Sequence, residues 1–210
     1  MSTDWVAWHD AYTDLGSALS RRLRAVQGHI QSWLDESAPR RVQVLSICAG
    51  DGRDLLGVLS TRPDAPRVTA TLVELVPELA DRARSGAAAA GLTGIDVRCA
   101  DAGTTESYAG CPPADLVLLC GVLGNISDED VERVIASVSG FCAPGARVIW
   151  TRSRRSPDLT PSIRSWFRDS GLAEVAFDAP DEVLTSVGVH RLVRAPEPAA
   201  RHTRLFTFVR

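Results

Sequence analysis

Val44-Leu45-Ser46-Ile47-Cys48-Ala49-Gly50-Asp51-Gly52-Arg53-Asp54 is an apolar run that reaches a glycine pair and then turns charged. An apolar strand passing through a glycine-rich turn into a helix is the building unit of parallel α/β sheets, and ligands settle where such strands end. The predicted strand covers Val42 to Cys48, and the helix starts at Arg53. Working outward, the alternation repeats. Strands are expected at Val68 to Glu74, Ile95 to Cys99, Ala114 to Cys120 and Arg147 to Thr151. Helical patterns cover Pro77 to Ala90 and Ser127 to Gly140, and Pro144-Gly145 supplies a turn before the last of those strands. Thr160 to Ser170 reads as a helix ended by Gly171, with closing strands at Glu174 to Asp178 and Arg204 to Val209. Asp181 to Val193 fits neither period, and Arg194 to Ala200 reads as a surface hairpin loop. Upstream, Leu19, Arg22, Leu23, Val26, Ile30, Trp33 and Leu34 recur at steps of three and four, which predicts an amphipathic helix from about Ser17 to Asp35 that Pro39 ends.

The chain's 210 residues suit one well-buried domain. With 45% hydrophobic and 23% charged residues it has the composition of a folded globular protein and not of a disordered one. Met1-Ser2-Thr3-Asp4-Trp5 lacks the basic and apolar regions of a signal peptide and no stretch resembles a membrane span, so the expected address is cytoplasmic. The five cysteines are odd in number and widely spaced, without the pairing of a zinc or redox motif. All 23 basic residues are arginine, which removes Schiff-base and pyridoxal chemistry. A net charge of -3 gives no drive toward nucleic acid or an anionic membrane.

Four acids and two glycines carry the ligand chemistry. Gly50-x-Gly52 allows close backbone approach, but Leu55 stands where a dinucleotide fingerprint carries its third glycine. Asp51 and Asp54 put carboxylates at the helix start, where a dinucleotide would bring its pyrophosphate, so the charge favours a cationic adenosyl ligand. Glu74 ends its strand 22 residues after Gly52, near the spacing at which an acid takes hydrogen bonds from ribose hydroxyls. Asp101, after the third strand, could accept from an exocyclic amine of adenine. Each has a plainer reading: a tight turn without ligand, a helix cap before Pro77, and an Asp in a turn.

The order and spacing of these elements, from roughly Val42 to the C-terminus, resemble class I S-adenosylmethionine-dependent methyltransferases. Trp8-His9-Asp10-Ala11-Tyr12, Cys48 to Asp54 and Cys120-Gly121-Val122-Leu123-Gly124-Asn125-Ile126-Ser127 resemble, more narrowly, an actinobacterial methyltransferase-like group of unknown substrate. The resemblance implies an α/β, Rossmann-like doubly wound seven-stranded sheet with an antiparallel last strand and an N-terminal helical cap. Residues 1–40 would form the cap or lid and 41–210 the S-adenosylmethionine-binding domain, in one compact unit. It also implies that Gly50 and Gly52 contact the methionine part, Glu74 the ribose and Asp101 the adenine. Around them, Tyr12, Cys48, Ala49, Asp51, Asp54, Leu75, Ala102, Cys120 and Gly121 complete the expected cofactor site. The chain departs from the common motif at Cys48, where the first glycine usually lies, and at Ser46, where an acid is frequent.

Methyl transfer from a sulfonium is an in-line displacement with an activated leaving group, so alignment matters most and a base is optional. His190 and His9 are the candidates for a base. Trp8, Tyr12, Asn125 and Arg152 are the candidates for substrate contact: the aromatics as a stacking lid, Asn125 at the carboxyl edge of the fourth strand, and Arg152, with Arg154 and Arg155 nearby, for an anionic group. The fourth strand ends without a carboxylate, which argues against a Mg²⁺-dependent catechol type, so no metal is expected. The expected reaction is methyl transfer to O or N of a small, aromatic or heterocyclic acceptor. A non-catalytic S-adenosylmethionine-binding protein and, third, an NAD-dependent oxidoreductase stay open beside it. The acceptor and the oligomeric state are not legible.

Overall fold

A computed structural model describes residues 5, 12, 14, 16–198 and 203–209. Trp8 and His9, a substrate candidate and a base candidate, lie outside the described residues. The first helix, α1 (Ala18–Ser37), starts at Ser17, whose hydroxyl accepts the Ser20 N–H at 3.0 Å, and stops at Ala38, before Pro39. Its stripe of Val26, Ile30, Trp33 and Leu34 is buried as the period requires.

Then follow β1 (Val42–Ile47), α2 (Arg53–Leu59), β2 (Val68–Glu74), α3 (Pro77–Ala89), β3 (Ile95–Cys99), β4 (Ala114–Leu119), α4 (Asp128–Ser137), β5 (Cys142–Ser153), α5 (Thr160–Asp169), β6 (Leu172–Asp178) and β7 (Thr185–Leu192). The seven strands form one sheet in the order β3-β2-β1-β4-β5-β7-β6. β7 runs antiparallel to both its neighbours, while β1 to β5 are mutually parallel. Both faces are covered. Val44, Leu116, Leu118 and Ile149 pack on the side that holds Ile30 and Leu34 of α1, and Leu45, Val117, Leu119 and Val148 pack on the side that holds Val131 of α4 and Ile163 of α5. Alternate residues of one strand thus feed two cores, which is why the central strands read as largely apolar runs.

Four expectations change. Arg204 to Val209 is no sheet strand: Arg204 and Phe208 make only isolated bridges, to Thr104 and Ile126. The closing strand is β7, from the stretch that fitted neither period. It lies between β5 and β6 and is buried along almost its whole length, so it shows no alternation. Pro144-Gly145 lies within β5, where the pairing with β4 shifts register, and the helix expected from Ser127 to Gly140 is α4 followed by a 3-10 turn over Val138–Phe141. Gly188 of β7 has no room for a side chain, since a Cβ there would come within 2.2 Å of the Trp150 ring.

Candidate active site

The strand order reverses at β1, which has β2 on one side and β4 on the other, so the loops leaving β1 and β4 diverge and leave a crevice at their carboxyl ends. A cavity occupies it, lined by Tyr12, Cys48, Ala49, Gly50, Asp54, Glu74, Leu75, Cys120 and Gly121. Nine of the residues expected from sequence at a cofactor site therefore come together. Arg22, Arg53, Val76, Leu79, Trp5 and Phe208 complete the wall.

The loop after β1 reaches the cavity by alternating handedness. Cys48, Gly50 and Gly52 have φ of 54°, 60° and 76°. Cys48 therefore holds, with a side chain, a left-handed conformation that glycine adopts freely and that other residues take at a cost of roughly 1–2 kcal/mol. Burial and the charges of Glu74 and Asp101 push its thiol well above the ordinary cysteine range. Gly52 does not face the cavity. Its left-handed φ favours glycine, and a Cβ on it would also lie 2.8 Å from the side chains of Leu56 and Leu72, between α2 and β2.

Glu74 is the fixed point of the site. Only 6% exposed at the end of β2, it accepts the Gly50 N–H on Oε2 and the Val76 N–H on Oε1, both at 2.8 Å. Each oxygen keeps a lone pair for a hydroxyl donor from the cavity, and the two bonds fix the carboxylate's plane.

A polar group closes the α1 side. Arg22 donates to the Tyr12 hydroxyl, and the Arg53 guanidinium lies 4.2 Å from the centre of the Tyr12 ring. Burial pushes the Tyr12 phenol up to about 12, so it is a neutral donor and no base near pH 7. Burial raises the Asp54 carboxyl, in the first turn of α2, above its ordinary range, and Arg22 and its hydrogen bond with the Cys120 thiol offset this only in part. Asp51 does not line the cavity, because Arg53 Nε binds it at 2.8 Å. The two acids at the helix start are therefore each faced by an arginine, and they leave less free negative charge than their sequence positions alone suggest.

Several expected residues stand elsewhere. Ala102 is buried and its carbonyl accepts the Tyr108 hydroxyl. Asp101 is outside the cavity wall: its Oδ1 accepts the Gly103 N–H at 2.8 Å and its Oδ2 meets Arg204 Nη1 at 2.7 Å. His190, expected just before the final strand as a base, instead sits within β7, fully buried in the core. Its Nδ1 accepts the Trp150 indole N–H at 3.1 Å, its ring stacks 4.5 Å from Phe167, and Nε2 lies 3.8 Å from Glu174. Burial brings it down to about 4. It belongs to the packing of the last strands and does not line the cavity.

Beside the first cavity, sharing Arg22 and Gly121 with it, a second of about 480 Å³ opens between α1, the loop after β4 and the end of β5. Asn125 and Arg152, both expected at a substrate site, line it. Asn125 donates to the Gly121 carbonyl at 2.6 Å, and Arg152 donates to the Leu123 carbonyl.

Arg22, Arg53 and Phe208 are among the wall residues that the sequence reading did not place at the site. Arg22 carried a signal, as the one charged residue inside the apolar stripe of α1. Phe208 carried none, since its segment resembles a strand. Among the described residues, no group of three His, Cys, Asp or Glu side chains is placed to hold a metal ion, and no helix is long and apolar enough to cross a membrane.

No family model and no curated protein matches the chain. Solved structures do. An O-methyltransferase family protein from Burkholderia thailandensis superposes with a TM-score of 0.67 at 21% identity, over 88% of this chain and 58% of the other. The fold is that of class I methyltransferases. The magnesium protoporphyrin IX methyltransferase of Synechocystis, solved with bound S-adenosylmethionine, superposes with a TM-score of 0.69 at 14% identity, over 90% of this chain and 91% of its own. An O-methyltransferase family 2 protein from Planctomyces limnophilus, solved with apigenin, has a TM-score of 0.58 at 18% identity, over 74% and 51%. The chain spans only a little over half the length of the Burkholderia and Planctomyces methyltransferases.

Proposed function

We propose that the chain is a metal-independent methyltransferase that uses S-adenosylmethionine and acts on O or N of a small molecule. The observation that carries this is Glu74, a buried carboxylate at the end of β2, tied to the Gly50 and Val76 amides and facing the crevice cavity beside β1. Bound there, S-adenosylmethionine supplies an activated methyl group on a sulfonium.

Glu74 takes the ribose hydroxyls on its remaining lone pairs. The backbone of Cys48, Ala49 and Gly50 lies alongside the ligand, and Leu75, Val76 and Leu79 give a flat base an apolar surface. Asp54 and Arg22 supply one charge of each sign for the two ends of an amino acid moiety. Asp101 keeps its proposed role at the adenine, which requires that it exchange Arg204 for the ligand.

In the conformation described, the free volume of the first cavity is about 90 Å³, less than the roughly 300 Å³ at which ligand pockets begin. Trp5 and Phe208, with ring centres 5.5 Å apart, both line it. They act as a lid that opens for the ligand and then excludes water. The acceptor occupies the second cavity and meets the methyl group at Gly121 and Arg22, where the two cavities join. Alignment does most of the work there, because the leaving group is already activated. His9 remains a candidate base.

The test is consumption of the methyl donor. With S-adenosylmethionine and a small-metabolite extract, S-adenosylhomocysteine should accumulate, and Glu74→Gln should suppress it. Tight donor binding with no turnover across extracts would identify a binding protein instead of an enzyme.

A further inference from the structure

We infer that Thr151, at the carboxyl end of β5, orients the molecule bound in the second cavity by donating its hydroxyl proton to an unprotonated oxygen of that molecule. That this molecule is the methyl acceptor rests on the function proposed above; that the cavity binds through Thr151 does not.

Side-chain parity places the hydroxyl. Ile149 packs in the core on the α1 side of the sheet and Trp150 in the core on the other, so Thr151, two residues beyond Ile149, faces α1. It stands where β5 leaves that core, and it lines the second cavity at 3% exposure. Its Oγ1 accepts the Gly121 N–H at 2.9 Å, and the Gly121 carbonyl accepts the Asn125 side-chain N–H at 2.6 Å. Gly121, which lines both cavities, is thus held at its N–H by Thr151 and at its carbonyl by Asn125. Thr151 therefore stands one hydrogen bond from the place where the two cavities meet.

A hydroxyl can accept and also donate one proton. Among the described residues the Thr151 hydroxyl takes the bond from Gly121 and donates to none. A buried donor without an acceptor is costly, so a molecule in the cavity gains by supplying one. The other hydroxyls of this wall differ. Ser153, Ser156 and Thr185 are half-buried or exposed, and Ser186 of β7, buried opposite Arg152, already donates to the Arg152 carbonyl at 3.0 Å. One fixed donor selects one acceptor atom. A ketone, ester or amide oxygen is complementary to it, whereas a hydrocarbon of the same shape leaves the proton unpaired.

The experiment follows the methyl signals of Thr151, Leu19 and Leu184, which line the cavity, by NMR of the full chain with and without S-adenosylhomocysteine. The ligands are acetophenone and α-methylstyrene, the hydrocarbon in which a methylene replaces the carbonyl oxygen. Transfer out of water alone favours the hydrocarbon, so tighter binding of the ketone reports the hydrogen bond. Acetophenone should shift the signals saturably and bind at least threefold tighter than α-methylstyrene, a comparison that needs no variant. Thr151→Val, close in shape but without the hydroxyl, should weaken acetophenone about fivefold, as loss of one neutral hydrogen bond does, and leave α-methylstyrene within about twofold. Thr151→Ser should restore the preference for the ketone. Equal or tighter binding of the hydrocarbon, equal losses of both ligands in Thr151→Val, or no saturable shift with acetophenone would each overturn the inference. If the ketone is preferred while S-adenosylhomocysteine does not bind, the methyl-transfer reading fails and the Thr151 site stands. Binding of S-adenosylhomocysteine without that preference removes the Thr151 site alone.

Discussion

At Cys48 a residue with a side chain holds the left-handed backbone that begins the turn after β1, and the neighbouring Glu74 is fixed by two amides of the adjoining loops. Cys48→Gly and Cys48→Ala both delete the thiol, so their difference isolates the backbone. The glycine variant should be the more stable by about 1 kcal/mol in urea unfolding, and an alanine variant of equal or greater stability would refute the strain. His190 makes a separate prediction. Its imidazole stays neutral in the fold down to about pH 4, among Trp150, Glu174, Arg164 and Arg168, whereas an unfolded chain protonates it near 6.5. Between those values the unfolded state binds a proton that the folded state refuses, so stability falls as pH falls. The loss between pH 7 and pH 5 should be about 2 kcal/mol, and His190→Gln, which keeps an acceptor for Trp150, should remove it. Equal pH dependence in both proteins would contradict this. Methyl transfer, by contrast, should be insensitive to His190 except through stability.

The C-terminal segment is the element whose role most departs from its sequence pattern. Residues 204–208 are apolar-rich like a strand, yet the sheet is complete without them, and their backbone instead bonds elsewhere: Leu205 N–H to the Gly103 carbonyl, Thr207 N–H to the Asp130 side chain in α4 and, beyond, Val209 N–H to the Asn125 carbonyl. This strap carries Phe208 to the cavity and Arg204 to Asp101. Phe208→Ala should therefore weaken S-adenosylhomocysteine severalfold by isothermal calorimetry while shifting the melting temperature little, since Leu205 and Phe206 supply the strap's buried contacts. Unchanged affinity would show that the ring is no lid. Of the other elements, β1, β2 and β4 and their helices were legible because each strand is a largely apolar run closed by glycine, proline or charge, and β3 because its residues alternate. β7 was not, because a strand buried between two others loses the alternation that identifies strands. The strap differs for another reason, since a local apolar, β-rich run says nothing about whether a sheet edge is available.

For the whole molecule, a sheet that reverses its order beside β1 and closes with an antiparallel β7 puts two cavities side by side along the carboxyl ends of β1, β4 and β5. Much of this site could be read from residues that end strands, such as Glu74, because their placement follows from the fold alone. Arg22, Arg53 and Phe208 could not, since they reach the site from a helix face, a charge pair and a strap whose positions are set by tertiary packing. The same packing gives Asp51 and Asp54 arginine partners, which removes part of the charge argument against a dinucleotide and leaves Glu74 and the topology to carry it. The decisive measurement is calorimetric titration of the full chain with S-adenosylmethionine, S-adenosylhomocysteine and NAD, repeated on Glu74→Gln. Both adenosyl ligands should bind saturably at one site and NAD should not, and the variant should lose at least tenfold in affinity, about 1.5–3 kcal/mol for a charged hydrogen bond. Binding of NAD alone, or adenosyl binding indifferent to Glu74, would contradict the proposed function.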